Sequence, residues 1–157
     1  MTRAPLAEVR IRRLVPKDRA AWLQMRHALW PAERGQHTHE RDVDAFFAGE
    51  SKTLHAVLIA DARGVGPVGF LELRVRDHAE GSDTHAVPHV EGWYVEAEYR
   101  RRRIGARLLA AAERWARAAG HAELASDASI YNAASISAHR ALGFELTDRI
   151  VCFLKKL

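Results

Sequence analysis

Apolar and polar positions change their spacing several times along the chain, and each change marks an element. Val9, Ile11, Leu14 and Val15 are interleaved with arginines, as in a strand with one solvated face. Pro16 and Lys17 break that strand. Asp18 stands where an N-cap belongs, and Trp22, Met25 and Leu29 follow at helical steps until Pro31, before which a residue avoids the α region. A short second helix is expected over 42–48, with Val43, Phe46 and Phe47 inward, and the histidine-bearing stretch 32–41 before it reads as polar and mobile. Residues 53–62 and 68–75 read as the strands of a hairpin, joined by Arg63-Gly64-Val65-Gly66-Pro67. Residues 77–88 have no period and are long for a hairpin loop, which marks them as functional or disordered.

The segment 91–120 carries the sharpest change of period. Glu91 to Val95 reads as a strand through Trp93, Tyr94 and Val95, whereas Ile104, Leu108, Leu109, Ala112, Trp115, Ala116 and Ala119 recur at helical spacing, with Gly120 as a left-handed stop. Between them lies Glu98-Tyr99-Arg100-Arg101-Arg102-Arg103-Ile104-Gly105. Free amides at a helix start, the positive end of its dipole and four guanidinium groups together favour bound phosphate. Beyond Gly120 the pattern predicts a short strand over 122–126, an irregular stretch to Asn132, a helix over 133–142 ending at Gly143, and a last strand over 144–154. This order of elements predicts a mixed α/β sheet covered by helices, with its cleft near the strand that leads into the helix at Ile104.

Composition narrows the chemistry. The chain has 157 residues, the size of one domain, and we expect a single domain over 1–157. No apolar run approaches the ~18–20 residues needed to cross a bilayer, and MTRAPLAEVRIRR lacks the apolar core of a signal peptide, so a cytoplasmic protein with no membrane partner is expected. The formal charge is +4, and the four consecutive arginines account for the whole surplus. Base concentrated at one helix start suits a compact phosphorylated ligand better than a nucleic-acid backbone, so no nucleic-acid partner is expected. The lone Cys152, in an apolar run, is expected to be a small buried hydrophobe. Nine histidines show no metal-ligand spacing, and no metal is expected.

Tyr-Arg-Arg-Arg-Arg-Ile-Gly before a leucine-rich helix resembles the acyl-CoA pyrophosphate loop of the GNAT N-acetyltransferase superfamily. That loop reads Arg or Gln, two variable residues, Gly, one variable residue, then Gly or Ala. Arg100 takes the first place and Gly105 the last, but Arg103 replaces the first glycine. Either the turn is right-handed at 103 or phosphate contact is looser there. Further residues match at family-like spacing: Leu29-Trp30-Pro31, Glu91-Gly92, Ala125-Ser126-Asp127-Ala128-Ser129, Asn132, Ser135 and the run from His139 to Arg149. Together they resemble the chromosomal aminoglycoside 6'-N-acetyltransferases.

The resemblance implies a single-domain GNAT fold, a mostly antiparallel mixed sheet flanked by helices with the acyl-CoA cleft at its central strand. It implies acetyl-CoA as co-substrate, an aminoglycoside or other polycationic amine as acceptor, and a homodimer. Trp93, Tyr94 and Val95 would meet the acetyl and pantetheine portion, Arg101, Arg102, Arg103, Ile104, Gly105 and Ala106 would wrap the pyrophosphate, and Asn132 would hold the pantetheine arm. Trp30, Glu91, Asp127 and Asp148 fall at positions that contact the aminoglycoside, and His78 stands where the family can place a tyrosine. His139 occupies the place of a general acid in many members of the superfamily.

The chemistry asks for carboxylates around a polycation and for a group to take a proton. An amine with a lysine-like pKa of about 10.4 is neutral in only about one molecule in 2,500 at pH 7. Glu91 is the first choice of base, with Asp127 orienting the ammonium, and a main-chain amide near Val95 is placed to stabilise the oxyanion if the sheet opens there. Taken singly, these residues have plain alternatives: Trp30 as core, Glu91 as a solvent-facing strand residue, Asp127 and Asn132 as turn and helix caps, His139 as a surface residue. Acetylation of a protein N-terminus, lysine or polyamine is the nearer rival function, and a nucleic-acid-binding module is the non-enzyme one.

Overall fold

Alternation along one strand, Ala56–Ala62, sends side chains into two separate cores. Ala56, Leu58, Ala60 and Ala62 join a cluster with Leu71, Leu73, Val90, Ile104, Leu108 and Ala112, while Val57 and Ile59 join Trp22, Met25, Val43 and Phe70. A strand buried on both faces lies inside a three-layer arrangement. In the computed structural model, which describes residues 7–31 and 37–157, a five-stranded sheet runs in the order β1 (Val9–Arg13), β2 (Ala56–Ala62), β3 (Gly66–Arg76), β4 (Val87–Val95) and β5 (Ala125–Ser126). The first four strands are antiparallel and β5 is parallel to β4. Helices α1 (Arg19–Leu29) and α2 (His37–Phe47) cover one face. Helix α3 (Ile104–Ala118) covers the other, and α4 (Ala133–Ala141) follows β5.

Helix α3 buries Ile104, Leu108, Leu109, Ala112 and Ala116, the stripe its spacing predicts, and Gly120 ends it at φ 87°. Elsewhere the structure corrects the sequence. Helix α2 begins at His37, not near Asp42; residues 32–36, expected to be mobile, lie outside the described residues. Strand β4 begins at Val87 rather than Glu91, because Val87, His89 and Val90 are buried in the sheet. Asp18 makes no side-chain cap on α1. Its buried carboxylate is bidentate to Arg12, at 2.6 and 2.9 Å, and accepts the Val15 amide at 3.0 Å. The loop 77–86 is held in place: Thr84 Oγ1 donates to Glu123 at 2.9 Å, Ser82 also donates to Glu123, and a Cβ on Gly81 would collide with Thr147.

The largest departure is at the C-terminus. Residues 144–157 form no strand, and Phe153 and Leu154 are each 92% exposed. The β-rich composition of this arm is genuine, but a strand needs a neighbour to take its amides and carbonyls. Cys152, expected inside, is exposed on the same arm.

Under α1 lies a buried polar group. Glu72 on β3 is 1% exposed and accepts Trp22 Nε1 at 2.8 Å, with Arg26 Nε at 3.4 Å as an ion pair. Burial pushes its carboxyl up to about 7, against the pull of Arg26 and Trp22. Because the folded value lies above the unfolded one, the stability linked to this proton is present below the ordinary carboxylate range and is lost as pH rises through about 7. Tryptophan fluorescence should therefore show a transition near pH 7 that vanishes in Glu72→Gln. A wild-type signal that is flat from about pH 5 to 9 would contradict the assignment.

Candidate active site

The register of β4 breaks at one residue. Glu72 pairs with Gly92 and Leu73 with Val90, so Glu91 is the extra residue of a bulge. Bulges re-aim a side chain and sharpen local twist. On its other side β4 pairs with β5 only at His89 and Val90. Beyond that point residues 91–95 have no strand neighbour on the β5 side among the described residues. A sheet opened in this way offers main-chain groups of Trp93 to Val95 to a ligand.

Glu91, aimed by the bulge, meets Arg76 from the end of β3. Arg76 Nε and Nη2 donate to its two carboxylate oxygens at 2.7 and 2.8 Å. Arg76 Nη1 also reaches Asp127 at 3.5 Å, just past the end of β5. His89 lies between the same carboxylates, with Nδ1 3.6 Å from Glu91 and Nε2 3.5 Å from Asp127. Burial works against charge on Glu91, but the Arg76 pair outweighs it and holds the carboxyl below its ordinary value. Glu91 and Asp127, picked out in the sequence, are thus brought together. Arg76 and His89, which join them, were missed, since an arginine at a strand end and a histidine in a strand carry no motif.

Trp30 forms a wall beside this cluster. A Cβ on Gly92 would lie 2.7 Å from its ring, and the ring stacks at 5.8 Å on His39 and carries the Arg26 guanidinium at 5.4 Å. His78 is exposed on the loop after β3, with no hydrogen bond or ion pair among the described residues. Asp148 is on the exposed C-terminal arm and accepts its neighbour Arg149's amide, apart from the Glu91–Asp127 cluster.

The arginine turn lies at the other end of β4. Arg103 adopts the left-handed conformation at φ 60° and ψ 13°, and Arg101 has φ 59°. The turn is therefore not right-handed at 103: it keeps the glycine-like geometry with an arginine, at a cost of about 1–2 kcal/mol. Arg100 bends back, its Nε donating to the Val95 carbonyl at 2.8 Å and its guanidinium lying over Tyr94. Arg102 lies over Tyr99 at 5.8 Å, while the side chains of Arg101 and Arg103 are exposed beside the first turn of α3, formed by Ile104, Gly105 and Ala106. Gly105 has a packing reason as well: a Cβ there would sit 3.2 Å from the Trp93 indole.

Trp93 also meets His139 edge to face at 5.4 Å. His139 Nδ1 lies 2.7 Å from the Ser135 carbonyl, which can only accept, so Nδ1 carries the proton and Nε2 accepts the Ser126 hydroxyl at 2.7 Å. With both nitrogens engaged, His139 serves to position α4 against Trp93. Asn132 caps α4, its Oδ1 accepting the Ser135 amide at 3.0 Å, and this leaves its amide nitrogen for a ligand. Among the described residues no group of three His, Cys, Asp or Glu side chains is arranged to hold a metal ion.

Comparison with known proteins agrees with this geometry. The sequence profile described as the Acetyltransferase (GNAT) family matches residues 22–144. The aminoglycoside N(6')-acetyltransferase type 1 of Klebsiella aerogenes is 42% identical over 147 residues, 94% of this chain and 96% of that protein. The Stenotrophomonas maltophilia protein of the same name is 38% identical over 144 residues, 91% of this chain and 90% of its own length. Among solved structures, AAC(6')-Iy in complex with the bisubstrate analogue CoA-S-monomethyl-acetylneamine superposes with a TM-score of 0.85 at 32% identity, covering 96% of this chain and 100% of that one. A bulged central strand opening toward its neighbour, an arginine turn capping the following helix and this agreement over nearly the whole chain make the protein a member of the GNAT acetyltransferase family.

Proposed function

We propose that the protein transfers the acetyl group of acetyl-CoA to the 6'-amine of aminoglycosides, by direct attack of the amine on the thioester. The observation that carries this is the convergence of Glu91 and Asp127 on Arg76 at the opening of β4 and β5, with the arginine turn at the far end of β4. One end of the cleft suits a polyphosphate and the other a polycation. In this scheme Arg101, Arg102, Arg103 and the amides of Ile104, Gly105 and Ala106 hold the pyrophosphate. Trp93, Tyr94, Val95 and the Asn132 side-chain amide line the acetyl and pantetheine path. Trp30 and His78 flank the sugar, and Asp127 binds the ammonium while Glu91 leads to its deprotonation. A neutral amine then adds to the carbonyl, and the oxyanion falls on a main-chain amide near Val95. Inactivation of aminoglycosides fits a resistance role, and dependence on acetyl-CoA fits a cytoplasmic enzyme.

Crossed kinetics test this division. Arg101→Ala and Arg102→Ala each remove a charge-assisted contact of about 1.5–3 kcal/mol, so the KM for acetyl-CoA should rise about tenfold or more with little change in acceptor KM. Asp127→Asn should instead raise the aminoglycoside KM, and Glu91→Gln should lower kcat most at low pH. Equal effects on both substrates from either pair would refute the assignment.

The exposed arm supports a homodimer. Ile150, Val151, Phe153 and Leu154 are 65–92% exposed on a segment that pairs with no strand among the described residues. A second copy of this chain is the cover that such a segment finds in solution, and Asp148 would enter an acceptor site only with the arm docked. Sedimentation should give a dimer for the whole chain and a monomer for a Phe153→Asp, Leu154→Asp variant. A monomeric whole chain at micromolar concentration would contradict the dimer.

A further inference from the structure

His89 is the most deeply buried member of the Arg76–Glu91–Asp127 cluster, at 2% exposure, and among the described residues its Nδ1 makes no hydrogen bond of ordinary geometry. A buried ring nitrogen held 3.6 Å from a carboxylate, just beyond hydrogen-bond reach, is placed to exchange a proton with it rather than to be fixed by it. Its two nitrogens face different acids, Nδ1 toward Glu91 and Nε2 toward Asp127. Glu91 is 21% exposed and locked to Arg76, whereas the Asp127 side chain is 72% exposed. One nitrogen thus faces inward and the other faces the route to water.

We propose that His89 is the proton relay of the acceptor site, taking up on Nδ1 the proton that the aminoglycoside's 6'-ammonium passes to Glu91 and returning it to water through Asp127. This rests on the acceptor placement proposed above. In the first step an N–H bond of the ammonium breaks, its electron pair stays on nitrogen, and an O–H bond forms on Glu91. Glu91 then gives that proton to His89 and recovers its charge and its ion pair with Arg76. The Nε2 proton of the imidazolium leaves to water through the Asp127 carboxylate, and before the next turnover the ring, left with its proton on Nδ1, returns to the Nε2–H tautomer by proton exchange with solvent. His89 touches no substrate and acts through Glu91, so it is a positioning residue for the proton.

The surrounding charges make the relay workable near neutrality. Arg76 pairs with Glu91 and approaches Asp127, and Arg74, directly opposite His89 in register, adds a second positive charge to the field at Glu91. Burial first, and then Arg76, keep the imidazole neutral by lowering its pKa, while Glu91 and Asp127 work in the other direction. A neutral His89 leaves the two carboxylates in excess over Arg76, which draws an ammonium group. A protonated His89 cancels that excess, so the imidazolium and the ammonium compete for the same pair of acids. Glu91 alone is a poor final acceptor because Arg76 depresses its proton affinity.

The test is the pH profile of kcat/KM for neamine at saturating acetyl-CoA, with His89→Gln and His89→Phe beside the wild type. The relay predicts a wild-type rate that rises with pH and then levels. In both variants the rate at pH 7 should fall about tenfold or more and then climb about one decade per pH unit toward the amine's own pKa, since only neutral amine reacts. A uniform loss with the wild-type profile retained would make His89 merely structural and overturn the relay. A measurement on the unmodified enzyme guards against variants that fail to fold: the His89 imidazole resonance should titrate at lower pH with neamine bound than without it. An unchanged titration would overturn the proposal. Glu91→Gln and Asp127→Asn in the same assay separate the two levels of inference. If they alter neamine kinetics while the His89 variants do not, the relay alone fails; if neither acid matters, the acceptor placement fails with it.

Discussion

The bidentate pair between Arg76 and Glu91 depends on one break in the register of β3 against β4, the bulge at Glu91. Without the bulge, Glu91 would follow the alternation of β4, and its meeting with Arg76 from β3 would be lost. The same strand holds Trp93 against Gly105 and His139, and Gly92 under Trp30. Both walls of the cleft are therefore referred to β4, and the bulge fixes how they are offset. The surrounding antiparallel ladder, buried on both faces, supplies the rigidity that such a local irregularity needs.

Charge is distributed along this strand in a way that separates two tasks. At its C-terminal end the arginine turn keeps two non-glycine residues at positive φ, a strain tolerated where close backbone approach is useful. Arg100 and Arg102 are folded back onto Tyr94 and Tyr99, which leaves Arg101 and Arg103 as the cations of the turn without an aromatic neighbour among the described residues. At the bulge, Arg76 prevents the two carboxylates from repelling each other when no substrate is bound. The buried Glu72 on the neighbouring strand is a separate device, tied to Trp22 and Arg26 beneath α1 and thus to the placement of Trp30.

What was legible in the sequence followed from periodicity and from one compact motif. Helix α3, the hairpin of β2 and β3 and the arginine turn were marked by spacing, by glycines and by charge. Glu91 and Asp127 came through the family resemblance rather than from their own surroundings. His89 and Arg76 were invisible because their significance lies in cross-strand register, which one-dimensional spacing does not encode. The 144–154 segment misled for a different reason: its residues favour a strand, but pairing is a property of what lies beside it. Asp18 shows the same limit on a small scale, since an N-cap position in sequence became half of a buried ion pair with Arg12.

The central claim is that the opened end of β4 presents an amine, and one amine in particular, to the thioester. The most direct measurement is thiol release from acetyl-CoA with neamine and with its analogue bearing a hydroxyl in place of the 6'-amine, the product being located by mass spectrometry. Turnover with neamine, a single acetyl on the 6'-nitrogen and background rates with the hydroxyl analogue are the predicted results. Comparable thiol release with both compounds, or acetyl on a different nitrogen, would contradict the account.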